Sequence, residues 1–512
     1  MINEAIIVIN FVKKRPMLVL AVLISILTVI GYYSFWISLI LAALCIIFLF
    51  MTNYKKQSGV LILCGALLLL SMLSTSYYMG ELERAEDLDG KAFTGEFLAV
   101  EASEHNGVNY ACVIEVIESD RLKRGDKLMG VYSGAEIPLG QSFRAQVVLS
   151  AMDESVIAES FYAEGVYLFA DLSNLVLTDN SDGVLTALRG FRGYIKSEIY
   201  KYLQNDEAAV TFALLTGDRT EISEELYSNL KGAGVMHAMV VSGMHLAIIV
   251  SFMLWAVNRF LYNRFLKGTI ILLTVLAVAA VCGFTMSILR AGITYVLYAI
   301  ALFIGREPRA DNCLGTAVCI ILLTNPFAVF GVAFLLSVLS TFGVLCVALP
   351  IIKFIEENVT IKLKWLTVIL SPVIISLAAL LMTLPVMIST FGYVSNMSII
   401  SNLLVSFPIT VVIWLCLIGF ILFPLKGIML WLAGWILKYI ISVVNLLGAP
   451  EFAVTNLPDF AVYISIFIII LVLFAMFTCG NRKIMLKLKG ILNKKTREGG
   501  GKLKWRSFTK KR

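Results

Sequence analysis

Histidine is scarce in this chain, with three in 512 residues, and the scarcity excludes whole classes of chemistry. A hydrolase that works through two metal ions draws on a histidine-rich ligand set that so few residues cannot supply. A zincin places its histidines four apart on one helix face. Here His237 and His245 are eight apart, with no nearby Cys or carboxylate cluster to complete a site. Cysteine is present without forming a framework. Of nine cysteines only Cys112 falls between residues 80 and 180; the rest are scattered through apolar runs, where a thiol behaves as a small hydrophobe. No disulfide and no cofactor are expected. No Gly-x-x-x-x-Gly-Lys-Ser/Thr sequence occurs, so the chain shows no nucleotide-driven motor and any transport is driven by a partner. Charge is the last shortage: charged residues are 15% of the chain against roughly 25% in ordinary domains.

Apolar side chains take their place, at 59% of the residues, in runs near the ~20 residues that cross a bilayer as helix. The stretch Met17 to Met51 reads as two short spans broken at Gly31 to Phe35, and a third runs from about 58 to 79. Lys13, Lys14 and Arg15 precede the first without a small-residue cleavage site after it, which predicts an anchor and not a removed signal. By the positive-inside rule these cations place the N-terminus in the cytoplasm, Lys55 and Lys56 mark the next inner loop, and residues 80 to 200 fall outside. Arg259, Arg264 and Lys267, then Arg306 and Arg309, then Lys353, Lys362 and Lys364, recur where inner loops are expected. Residues 480 to 512 carry 13 Lys and Arg against one acid, Glu498, a net of +12 that exceeds the +7 of the whole chain. That tail reads as a cytoplasmic anchor at the lipid surface or a nucleic-acid contact.

Between the third span and the later ones the pattern changes. Period-two runs at Phe93 to Val100, Tyr110 to Ile117 and Ser142 to Leu149, with a turn at Arg124-Gly125-Asp126, predict a small β-barrel over 80 to 180. Its charge is acidic: 18 acids and 7 bases lie between Glu81 and Asp171, so a polyphosphate is repelled except where Arg121, Lys123, Arg124 and Lys127 cluster. Docking a partner or shaping a pore is the other use of such a domain. Over 181 to 205 follows a basic amphipathic helix, Leu185 to Gln204, with Arg189, Arg192, Lys196 and Lys201 alternating with Leu188, Tyr194, Ile195, Ile199 and Leu203. It lies along the outer membrane surface or gathers phosphates at a mouth.

Residues 206 to 479 form the remaining membrane domain, and its first forty hold its most unusual groups. Two short helices, Asp206 to Thr216 and Ser223 to Lys231, flank Gly217-Asp218-Arg219; Ser223 with Glu224 and Glu225 is an N-terminus signal. The turn presents an acid and a base to a cavity or closes as an internal salt bridge. Charged and polar groups at bilayer depth cost at least roughly 2.5 kcal/mol each even on lenient scales, so Asp218, Arg219, His237 and His245 mark a polar path. If Ser242-Gly243 breaks the helix, the free N–H groups beyond it attract anions. Hydrogen bonding of both histidines to neighbouring helices is the alternative.

The order and spacing of Gly217, Asp218 and Arg219, then Gly234, His237, Ser242, Gly243 and His245, resemble the competence domain of the ComEC family of DNA-uptake channels. Ser287, Arg290 and Ala291 are similar to that family's next helix start. Asn325-Pro326 resembles its Asn/Asp-Pro loop, and Pro385, Phe391, Gly392, Asn402 and Pro408 its late segments. The likeness extends over about residues 20 to 475. One departure is Phe334-Leu335-Leu336-Ser337, which stands where the family has Phe-Gln-Leu-Ser. Many relatives continue into a metallo-β-lactamase-like nuclease domain. The sequence ends after its basic tail, so the expectation is a non-enzymatic chain with a separate nuclease.

The resemblance implies a polytopic α-helical membrane protein of about 9–12 spans in the bacterial cytoplasmic membrane, both termini cytoplasmic, with an OB-like external domain after the third span. It implies conduction of single-stranded DNA inward in natural transformation, with membrane lipid, an external DNA receptor and a cytoplasmic motor as further partners. Gly217, Asp218, Arg219, His237, Ser242, Gly243, His245 and Arg290 are the candidate path residues. Arg121, Lys123, Arg124, Lys127, Arg189, Arg192 and Lys196 are the candidate external DNA contacts. Two other classes fit parts of the sequence: a secondary transporter of another anionic solute, and an intramembrane hydrolase with Ser242 as nucleophile and a histidine as base.

Overall fold

The computed structural model describes residues 15–51, 58–100, 104–106, 109–134, 137–138, 140–152, 156–181, 183–239, 242–259, 263–306, 308–358 and 364–479. Lys13, Lys14, Lys55, Lys56, Lys362 and the basic tail at 480–512 lie outside the described residues. The N-terminal helices are α1 (Pro16–Tyr33), α2 (Phe35–Met51) and α3 (Ser58–Glu86). Pro16 opens α1, where its missing N–H is no loss. An extended Ser34 ends it, so the predicted break between two spans falls at that residue. Leu18, Ile24 and Leu27 of α1 and Leu68 of α3 pack with Leu314, Val318 and Leu322 of α11 (Ala310–Thr324), joining the N-terminal helices to the later membrane domain.

The central segment folds as strands β1 (Ala92–Ala99), β2 (Glu104–Asn106), β3 (Asn109–Ser119), β4 (Lys127–Tyr132), β5 (Gln141–Ala151) and β6 (Val166–Ser181), with α4 (Val156–Ala163) between the last two. Their order is β1-β5-β6-β4-β3-β2, and β1 also pairs with β3, so the sheet turns back on its first strand. All ladders are antiparallel except β4 with β6. The alternation read from the sequence is the inward row: Phe97, Ile114, Phe143, Val147, Leu149 and Leu172 form one core.

Two devices fix this sheet to the helices. At the end of α3, Glu81 pairs with Lys123 at 2.7 Å and Arg84 reaches Asp126 at 3.5 Å. The Lys123 hydrogen bond, helped by Arg84, holds the Glu81 carboxyl below its usual range. On the other side Phe327, 1% exposed, inserts among Tyr32, Tyr78, Tyr162 and Tyr167. Asn325 caps that short turn by accepting from the Phe327 N–H at 3.0 Å, and donates to the Ala163 carbonyl at 2.7 Å.

Among the described residues seven helices are long and apolar enough to cross a membrane: Pro16–Tyr33, Arg264–Cys282, Met286–Ile304, Val332–Glu357, Leu370–Phe391, Ser398–Ile421 and Phe423–Gly448. Two more apolar helices, Gly243–Asn258 and Ala310–Thr324, have 16 and 15 residues. At 1.5 Å per residue those are shorter than the ~30 Å hydrocarbon layer, so they need protein around their ends. Leu273, Leu276, Trp435 and Phe467 are each more than half exposed, as lipid-facing residues are. Inside the bundle lie α5 (Gly183–Tyr200), α6 (Asn205–Thr216), α7 (Glu224–Gly232), α8 (Gly243–Asn258), α9 (Arg264–Cys282) and α10 (Met286–Ile304). The chain then runs through α11, α12 (Val332–Gly343), α13 (Leu349–Asn358), α14 (Lys364–Phe391), α15 (Ser398–Ile421), α16 (Lys426–Gly448) and α17 (Phe460–Cys479). Residues of α6 to α10, α15 and α16 share one core.

Candidate functional site

Helix α5 buries Ile195 and Ile199, as its amphipathic pattern predicts, but its cations serve the protein itself. Arg192 Nε donates to the Val281 carbonyl at 2.7 Å and Nη2 to the Thr216 carbonyl at 3.2 Å. These are orphan carbonyls at the C-terminal ends of α9 and α6, where a cation also meets the negative end of the helix dipole. Lys196 pairs with Glu221 at 2.5 Å. Glu198 bridges Lys201 and Lys426, and both hold its carboxyl below the usual range. Of the three external-contact candidates on this helix, Arg189 makes no ion pair among the described residues. Arg121, Lys123, Arg124 and Lys127 are exposed on the β domain, Lys123 already paired with Glu81.

The next two helices are wedged into the bundle. Ala208 to Leu214 of α6 are all buried, and α6 stops at Gly217 with φ 82°, a left-handed position that favours glycine. Asp218 Oδ1 accepts from the Thr220 N–H at 3.1 Å and its hydroxyl at 2.7 Å, so the turn is fixed locally. No ion pair joins Asp218 to Arg219 among the described residues. Ser223 caps α7 as the sequence predicts, accepting from the Leu226 N–H and donating to Asp206 at 3.0 Å. After α7, Gly234 has φ 72° and rests so closely on Ser395 and Ser398 that a methyl group there would collide with both.

His237 and His245 do not share a continuous helix. His237 lies in the turn Met236–Ala238 and keeps exposed surface. Helix α8 starts afresh at Gly243 with Ser242 as its cap, so the break considered from the sequence is present. Ser242 Oγ accepts from the Met244 N–H at 3.2 Å, and His245 Nδ1 accepts from the Ser242 N–H at 3.2 Å. This is a capping box with histidine where glutamate or glutamine is usual. His245 is fully buried; among the described residues its Nε2 makes no hydrogen bond of good geometry, and the Ala238 backbone interacts with the ring. The Ser242 hydroxyl is also 3.2 Å from His245 Nδ1. Serine and histidine therefore touch, but both are engaged in the cap, and among the described residues no carboxylate orients the ring as a hydrolase requires.

Arg290 on α10 reaches this cap from the side. It is 6% exposed, and its Nε donates to Ser337 Oγ of α12 at 2.8 Å; Ser337 in turn lies 3.0 Å from Ser287 Oγ. Ser242, Gly243, His245 and Arg290 thus converge, with His237 in electrostatic range of His245. Gly217, Asp218 and Arg219 stand apart, Asp218 in range of Lys196. The sequence reading singled out Ser287 and Ser337 only as motif members, and their pairing across α10 and α12 is tertiary. Lys426, 3% exposed, was also missed; the available signal was a lone lysine at the start of an apolar run. Among the described residues no group of three or more His, Cys, Asp or Glu could hold a metal.

The Competence protein family model matches residues 214–482, which includes this whole constellation. ComE operon protein 3 of Bacillus subtilis (strain 168) is 26% identical over 213 residues, which are 42% of this chain and 26% of that protein. The match thus spans about a quarter of the relative's length. No solved structure matches the chain.

Proposed function

The chain belongs to the Competence protein family, and on that premise we propose that it is an inner-membrane channel conducting single-stranded DNA into the cytoplasm during natural transformation. One observation carries the reading. A buried arginine, a buried histidine and a fresh helix start meet inside an apolar bundle, where polar groups are costly unless they line a path. His237, which keeps exposed surface, and the Gly217-Asp218-Arg219 turn belong to the outer part of that path in this reading. An OB-like fold for residues 80–180 is supported by the pairing sequence β1-β3-β4-β6-β5-β1 with β4 and β6 parallel. Drive and delivery come from a motor and a receptor that are separate polypeptides.

Reconstituted proteoliposomes test the proposal. Labelled single strands driven by an imposed gradient or a supplied motor are expected to become protected from added nuclease inside the vesicles. Uptake of small anions without any protected DNA would sink the channel in favour of a small-solute transporter. The orientation has its own test: a single cysteine at Arg124 is expected to react with an impermeant thiol reagent in intact cells. Reaction only after permeabilisation would place the β domain inside.

A further inference from the structure

The strongest unexplained charge in the molecule is the Arg290 guanidinium. Among the described residues only Nε of this buried side chain has a protein acceptor, the neutral hydroxyl of Ser337. Neither terminal amino group donates to a protein atom, and no Asp or Glu pairs with it among the described residues. The guanidinium is also pressed against the start of α8, since a methyl at Gly243 would come within 2.5 Å of Arg290 Nη2. Helix α8 has 16 residues, long enough to concentrate positive potential at that end. Two positive groups therefore face one another in a buried setting with nothing negative between them.

From this juxtaposition we infer that Arg290, Ser337 and the N-terminus of α8 form a binding site for one phosphodiester anion. The chemistry fits part by part. A guanidinium fork takes two oxygens of a phosphate side by side. The Gly243 N–H, left free among the described residues when the Ser242 cap takes the Met244 and His245 N–H groups, takes a third. With Nδ1 accepting from the Ser242 N–H, His245 fixes the helix start that the ligand meets. The absence of a side chain at Gly243 lets the guanidinium and the helix start share one ligand. A site with a single arginine holds a phosphate long enough to orient it and still releases it.

Phosphodiesters occur in a DNA strand and in a lipid headgroup. Assigning the occupant to DNA rests on the channel reading above; the site itself does not. The full chain in neutral detergent should broaden the phosphorus NMR signal of dimethyl phosphate saturably. Arg290→Gln should weaken this at least about tenfold, Gly243→Ala should weaken it by displacing the guanidinium, and Arg290→Lys should retain part of it. Folding of each variant is checked by its unfolding midpoint, and Gly243→Ala, which keeps the charge, guards against loss of structure in Arg290→Gln. Absence of saturable broadening in wild type, or wild-type broadening retained in folded Arg290→Gln and Gly243→Ala, overturns the site. Displacement of dimethyl phosphate by short oligodeoxynucleotides but not by phosphatidylglycerol nanodiscs supports a strand as the occupant; the reverse result overturns that assignment and leaves a lipid site. Binding intact in a chain that moves no DNA would sink the channel reading alone.

Discussion

His245→Gln is expected to cut DNA uptake at least about tenfold, the equivalent of about 1.4 kcal/mol in a barrier, while the chain stays folded and inserted. The substitution separates two roles of one residue. His245 closes the capping box of α8 by accepting the Ser242 N–H, and glutamine at that position is a usual partner in such boxes. The cap, worth about 1 kcal/mol, is therefore kept. What disappears is the imidazole ring; the glutamine amide leaves an NH2 donor in its place, so the count of buried donors does not fall and the midpoint should stay near wild type. A fall in uptake with an unchanged unfolding midpoint assigns the imidazole to the path. Uptake at the wild-type level would reduce His245 to a capping residue. His245→Ala removes both roles and should lower the midpoint as well.

Much of the local structure was legible from residue types. Tyr33-Ser34-Phe35 is where two apolar runs meet, and α1 ends there. Ser223 followed by two glutamates starts α7. Alternation at Phe93 to Val100 and Ser142 to Leu149 gives strands, because side chains on a strand point alternately inward and outward. The site was legible only in part, since its members are joined by packing and not by spacing. Ser242 and His245 are three apart and their contact is local. Arg290 meets Gly243 and Ser337 from different helices, and no periodicity announces such a meeting. The same limit hid the use of Arg192. As one cation on an amphipathic face it looked available to phosphate, whereas two helix ends supply carbonyls that it satisfies. Glu198 and Lys426 are far apart in sequence, and neither position alone reveals that they pair.

The same dependence on packing makes Phe327→Ala the substitution with the largest expected effect on stability. Phe327 is the one aromatic ring of the Asn325-Pro326 turn that touches α1, α3, α4 and β6 together, through Tyr32, Tyr78, Tyr162 and Tyr167. Those tyrosines belong to three separate parts of the chain: the N-terminal helices, the β domain and its α4 connection. Removing a buried phenyl group costs about 3–5 kcal/mol when the cavity cannot collapse. Collapse is hindered here because Asn325 holds the turn to α4 and Tyr78 donates its hydroxyl to the Thr324 carbonyl. The loss should therefore appear first as undocking of the β domain, before the bundle itself melts. Limited proteolysis of membrane vesicles is expected to release a fragment containing β1 to β6 at a lower temperature in Phe327→Ala than in wild type, with the helical fragment still embedded. Phe327→Leu, which fills part of the space without the edge contacts, should fall between the two. A release temperature equal to wild type in Phe327→Ala would mean that the Glu81, Arg84, Lys123 and Asp126 network alone holds the domain in place. Exposed ion pairs are worth only about 0–1 kcal/mol each, so the aromatic cluster should prove the stronger attachment.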